Sequence, residues 1–127
     1  MRTESRSITI AAPPMTVFRY VADARNLPAW APVFATAVRP DGDRWIVTND
    51  AGEFPVLVRA SAEHGTVDVV SADDHARGAF TRVLPNGDGA EYQFTLFFPD
   101  GTDEAAVEQQ MTTVEQELEA VRDQVGV

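Results

Sequence analysis

Turn chemistry recurs at short intervals through the middle of this chain, and it leaves room for little except antiparallel strands. Asp41-Gly42, Ala51-Gly52, His64-Gly65, Asp73-Asp74-His75 and Asn86-Gly87-Asp88-Gly89 all use residue types that tolerate a sharp reversal of the backbone. Between them lie residues 33–38, 44–48, 54–60, 66–71, 76–84 and 90–98, all rich in β-branched and aromatic side chains. Connections this short cannot return a parallel strand, so the spacing predicts an antiparallel meander of six strands. Residues 7–10 add a short strand upstream, with Ile8 and Ile10 on one face. Pro13 and Pro14 then stop that strand and suit the start of a helix over 15–22, whose buried side is Val17, Phe18 and Val21. A second brief turn over 23–27 ends before Pro28. The stretch Leu27-Pro28-Ala29-Trp30-Ala31-Pro32 is too proline-rich to continue either state and is expected to set Trp30 against the core.

The chain closes on a long amphipathic helix over 103–125. Val107, Met111, Val114, Leu118, Val121 and Val125 follow one another in steps of four and three, while Glu104, Glu108, Glu115, Glu119 and Asp123 take the rest of the surface. Such a stripe must lie on something apolar. The sheet is the candidate within the chain, and together they enclose either a solid core or a pocket. Alternation puts Tyr92, Phe94, Leu96 and Phe98 on the inner face of the last strand. If Ala51-Gly52 forms a two-residue turn, Trp45 and Val47 pair with Val58 and Val56 and share an interior face with Phe54. At the Asn86 turn, a loop of two or four residues sends Arg77, Ala79, Thr81 and Val83 inward, whereas a three-residue loop sends Phe80 and Arg82 inward; the first is preferred.

A length of 127 residues with 44% hydrophobic content fits one domain spanning 1–127, with a core that needs no metal or disulfide. The absence of cysteine excludes thiol nucleophiles, disulfides and thiolate metal sites. A net charge of -10 repels phosphate backbones, so no nucleic acid is expected as a partner. The polar start of the chain and the lack of a long apolar run argue against membrane insertion and for a cytoplasmic protein. His64 and His75 lack the spacing of a metal pair, no Gly-x-Ser-x-Gly elbow occurs, and the glycines of the Asn86 turn link strands, so neither metal nor cofactor is expected. His64 reads as a solvated turn residue, and Asp68 as an outward charge opposite Arg59. The candidates for polar work are Tyr92, whose phenol can donate to a carbonyl, and Arg77, which can bind a carboxylate or stabilise an enolate. His75 joins them as a rim residue if it opens the strand that carries Arg77.

This order of elements resembles the helix-grip arrangement of the START-like, polyketide cyclase and birch-pollen-allergen superfamily. The resemblance is carried by Ser7-Ile8-Thr9-Ile10-Ala11-Ala12-Pro13-Pro14 leading into Val17-Phe18, by the Leu27 to Pro32 stretch, by Arg82-Val83-Leu84-Pro85-Asn86-Gly87 and by Phe94-Thr95-Leu96-Phe97. It implies an α+β fold: a seven-stranded curved antiparallel sheet around the long C-terminal helix, with two short helices after the first strand. It also implies an apolar cavity. Trp45, Phe54, Val56, Val58, Val69, Arg77, Thr81, Tyr92, Phe94 and Leu96 would line it from the sheet, Met111, Val114 and Leu118 from the helix, and Trp30 near the entrance. The same residues also suit a filled core; small side chains at Ala60, Ala79 and Thr81 favour an enclosed space of roughly 300 Å³ or more. The expected function is binding of a small apolar or aromatic molecule. A cofactor-independent cyclase or dehydratase comes second and a chaperone-regulator-like interaction module third, with a homodimer left open.

Overall fold

Strand β1 (Arg2–Ile10) opens the chain and pairs antiparallel with the last strand, so that the sheet begins and ends on neighbouring strands. Helices α1 (Pro14–Ala22) and α2 (Leu27–Trp30) follow, separated by a single 3-10 turn, Ala24–Asn26. The meander β2 (Ala37–Asp41), β3 (Arg44–Asn49), β4 (Gly52–Ser61), β5 (Thr66–Ser71), β6 (Gly78–Asn86) and β7 (Gly89–Phe98) comes next, and α3 (Glu104–Val125) closes it. All seven strands form one sheet in the order β1-β7-β6-β5-β4-β3-β2. The computed structural model describes residues 1–126.

Four local expectations change, each for a physical reason. The first strand begins at Arg2 rather than Ser7. Its early residues alternate without an apolar pattern because the inward ones, Arg2, Glu4 and Arg6, meet charges on α3 instead of grease. Arg2 pairs with Glu104 and Arg6 with Glu115 at 3.2 Å, and Glu4 bridges the two arginines at 3.1 and 3.4 Å. The Arg2 guanidinium holds the Glu104 carboxyl below the usual range. Second, Leu27 to Trp30 is helical: Pro28 sits in the first turn, where its missing N–H is no loss, and the Ala31 amide donates to the Leu27 carbonyl at 2.7 Å. Third, the β2 strand starts at Ala37, not Val33, which is 69% exposed.

Fourth, the β3–β4 register moves by two residues, so that Trp45 faces Val56 and Val47 faces Phe54. The cause is Asn49, whose side-chain oxygen accepts from the Ala51 amide at 2.8 Å and centres the turn on Asp50-Ala51. A shift of two keeps every side chain on its face. The Asn86 turn has the preferred two-residue form: Asn86 pairs with Gly89, Thr81 and Val83 are buried, and Gly87 takes φ 59°, open to glycine at little cost. Arg59 and Asp68 pair outward at 3.3 Å.

The core sits between the sheet and the helices. Helix α3 buries Val107, Met111, Val114, Leu118 and Val121, and it lies mainly along β1, with lesser contact to β7, α1 and α2. Each fully buried side chain of this size contributes about 1.5–3 kcal/mol of transfer free energy, which makes the stripe the main fastening of the helix. Because α3 keeps to the β1 side, the inner face of β5 and β6 is left to α1, which packs on both strands, and to the hollow lined by α2 and Phe34.

Candidate functional site

Where α3 leaves off, a cleft of about 380 Å³ opens between α2, the middle strands and one flank of α3. Leu27, Trp30, Ala31 and Phe34 form one wall; Val69, Ala79, Thr81, Phe94, Leu96 and Phe98 form the sheet side; Gln110 and Glu117 come from α3, Arg77 from the loop just before β6 and Gly78 from the start of that strand. The small side chains of β6 create the space. Gly78 has a further reason to be glycine: a Cβ there would stand 2.2 Å from the Val69 carbonyl oxygen, so only a bare backbone lets β6 begin against β5. The cleft is open to solvent on the side of Arg77, which is exposed, rather than enclosed as expected. A second hollow adjoins it, lined by Phe54, Val56, Val70 and Ser71 and sharing Phe34, Val69, Arg77 and Gly78 with the first. Phe34 and Phe54 meet edge to face at 5.7 Å across that division.

Polar groups in the cleft are few. Glu117 is the notable one: it is 7% exposed, on a wall of apolar side chains, and burial alone pushes its carboxyl up to about 7. Among the described residues no ion pair or hydrogen bond engages it, so the neutral acid predominates below neutral pH. Trp30 buries its indole N–H without an acceptor. The Thr81 hydroxyl is buried and donates to the Val67 carbonyl at 2.6 Å, which leaves its oxygen as an acceptor. Glu117 could be found in the sequence from position alone, being three residues after Val114 and four before Val121, inside the apolar arc. An isolated carboxylate among carboxylates on an acidic helix gives no other signal.

Residues 1–126 match the family model described as polyketide cyclase / dehydrase and lipid transport. The chain belongs to that family. No curated protein is similar to it in sequence. Among solved structures, this member of the polyketide cyclase / dehydrase and lipid-transport family is similar to the Aha1 dimer from Colwellia psychrerythraea, with 13% identity, a TM-score of 0.76 and coverage of 100% of this chain and 98% of that one. It is also similar to a START superfamily protein from Mycobacterium smegmatis, at 17% identity and TM-score 0.69 over 97% and 96% of the two chains. A third likeness is to Ara h 8.0201, at 16% identity and TM-score 0.61 over 96% and 95%. These likenesses establish the fold, a helix-grip α+β arrangement of a curved seven-stranded antiparallel sheet with a long C-terminal helix. Among the described residues no helix is long and apolar enough to cross a membrane.

Within this family member, the structure brings Trp30, Val69, Arg77, Thr81, Phe94 and Leu96 to the cleft wall, and Phe54 and Val56 to the adjoining hollow. Trp30 is 3% exposed, so it is part of the wall and not a residue of the entrance. Trp45 and Val58 lie outside both linings: they are half-buried and pack on the core from β3 and β4. Ala60 is exposed near the end of β4. Met111, Val114 and Leu118 are buried but do not line the cleft, because the centre of the stripe is spent on β1 and α1 and the flank of Gln110 and Glu117 turns to the opening. Tyr92 is also outside the lining. At 1% exposure its phenol is pushed well above its ordinary pKa by burial, with the Thr81 hydroxyl opposing and the Glu117 charge adding to the rise. His75 is exposed in the loop before β6 and lines neither hollow, since the strand begins only at Gly78. Arg77 sits in that loop too, yet keeps the inward parity of Ala79 and so reaches the cleft wall.

Proposed function

We propose that this protein is a cytoplasmic, single-domain carrier that holds a small hydrophobic or aromatic molecule in the cleft beneath α2. The observation that carries this reading is the cleft itself: about 380 Å³ walled by Trp30, Phe34, Phe94, Leu96 and Phe98, within the size of ordinary ligand sites. Membership of a family described by cyclisation, dehydration and lipid transport supports it. Titration with the neutral fluorophore N-phenylnaphthylamine tests it. Saturable fluorescence enhancement is expected, and its abolition by Ala79→Leu, which fills the cleft from β6, ties the signal to this site; no enhancement in the unmodified protein ends the reading.

Glu117 favours a second reading, a cofactor-independent cyclase or dehydratase in which a buried carboxyl near neutrality moves protons on the bound molecule. Glu117→Gln separates the two readings. Turnover of an enzyme falls by about two or more orders of magnitude while binding persists, whereas a carrier has no turnover to lose. Tyr92→Phe is the weaker probe, because the phenol stands behind the cleft wall.

A further inference from the structure

Arg77 and Glu117 are the titratable side chains of the cleft lining. Arg77 is a guanidinium on the solvent side, with no acidic partner among the ion pairs of the described residues. The Trp30 indole N–H is itself buried from solvent, so it lies behind the wall and is no contact for a ligand. Glu117 on the α3 flank is a donor whenever it holds its proton. A cation at the solvent side and an acid that donates while protonated, with the Thr81 oxygen and the exposed Gln110 amide as the other polar side-chain groups of an otherwise apolar wall, suit a ligand that carries a negative charge and a neutral acceptor.

Resting on the cleft as the ligand site, we propose that its ligand is an apolar oxo acid, whose carboxylate pairs with Arg77 at the solvent side and whose carbonyl oxygen accepts from the Glu117 carboxyl within. An amine fits less well, since it would meet Arg77 with like charge. The pairing predicts a pH dependence of definite sign. Glu117 donates while protonated, and it loses that ability as pH rises through about 7. The elements packed on α3 present Tyr92 from β7, Arg19 and Tyr20 from α1, and Arg2, Glu4 and Arg6 from β1, while α2 presents no titratable group. Both tyrosines are shifted upward by burial, away from the neutral range. The β1 charges are paired with Glu104 and Glu115 and with one another.

Competition against N-phenylnaphthylamine with naphthoylpropionic acid, its deoxo analogue naphthylbutyric acid, its methyl ester and naphthylbutylamine tests the assignment. Below pH 7 the oxo acid should displace the fluorophore about tenfold more effectively than the deoxo acid, and above pH 7 that advantage should vanish. Glu117→Gln should keep the advantage on both sides, because the amide N–H donates at any pH, and Glu117→Leu should lose it on both. Arg77→Gln should weaken both acids roughly threefold, the scale of an exposed ion pair, and leave the ester unchanged. Equal binding of oxo and deoxo acids, or tighter binding of the amine than of either acid, overturns the assignment while leaving the cleft as a binding site. Failure of the fluorophore itself to bind overturns the cleft reading instead.

Discussion

On β7 the inner face carries Tyr92, Phe94 and Leu96, and on β6, directly alongside, it carries Val83, Thr81 and Ala79. The pairing runs from Tyr92 against Val83, both buried under α1 and α3, to Thr81 against Phe94, where the cleft begins. The two ends of one strand pair thus differ in side-chain volume and in what lies above them. At the closed end a large side chain meets the helix stripe and nothing is left over; at the open end small side chains meet a short helix that does not reach down to them. The cleft is therefore a property of β6 and α2 together, and the long helix contributes only its flank.

Truncation at the two ends should separate them most strongly. Tyr92→Ala should cost about 4 kcal/mol, the range for deleting a buried aromatic from a packed site, while Leu96→Ala, half-buried on the cleft wall, should cost about 1 kcal/mol. Urea unfolding midpoints measure both, and equal losses would mean that the open end is as tightly packed as the closed one.

Next in size is the effect of the buried carboxyl. The unfolded chain ionises Glu117 near 4.5 and the folded chain near 7, so the unfolded state releases its proton first as pH rises. Folding stability contributed by this group is intact below 4.5 and declines through 7, by about 3 kcal/mol in all. Glu117→Gln should remove that decline and leave the variant more stable than the parent at alkaline pH. Unfolding curves on both sides of neutrality test the sign; a parent more stable at high pH would mean that Glu117 has a cationic partner in solution.

Filling the open end should do little to stability and much to binding. Ala79→Leu places a larger side chain in existing space, so its unfolding free energy should stay within about 1 kcal/mol of the parent. Its affinity for N-phenylnaphthylamine should fall by more than about tenfold. A loss above about 2 kcal/mol would show that the cleft closes in solution, because overpacking is costly only where no space exists.

The same contrast explains what could be read from the residues beforehand. Strands with one apolar face, β7 above all, declare themselves, and so does α3, because period and burial coincide there. The start of β1 does not, since Arg2, Glu4 and Arg6 face inward to charged partners more than a hundred residues away for two of them, and no local pattern encodes such a pairing. The turn at Asn49 is set by a side-chain hydrogen bond that competes with the adjacent Ala-Gly signal. In the site, Phe94 and Leu96 follow from alternation, but Glu117 does not stand out on a helix rich in glutamate, and Met111, Val114 and Leu118 go to the closed side because nothing in their spacing says which flank the sheet leaves open.

The smallest effect concerns whether the two sides act independently. Arg6 joins β1 to α3 through Glu115 at 3.2 Å and to Glu4 at 3.4 Å, with the Arg6 and Glu115 side chains 37% and 54% exposed. Water and salt screen such pairs, so Arg6→Gln should cost about 0.5 kcal/mol at low ionic strength and less in concentrated salt. The helix is held by the burial of Val107, Met111, Val114, Leu118 and Val121, and loosening its charged edge should not move the flank that carries Glu117. Fluorophore affinity in Arg6→Gln should accordingly match the parent at both salt concentrations. A change of several fold would mean that α3 transmits the state of its β1 edge to the cleft, and the closed and open regions would have to be treated as one coupled unit.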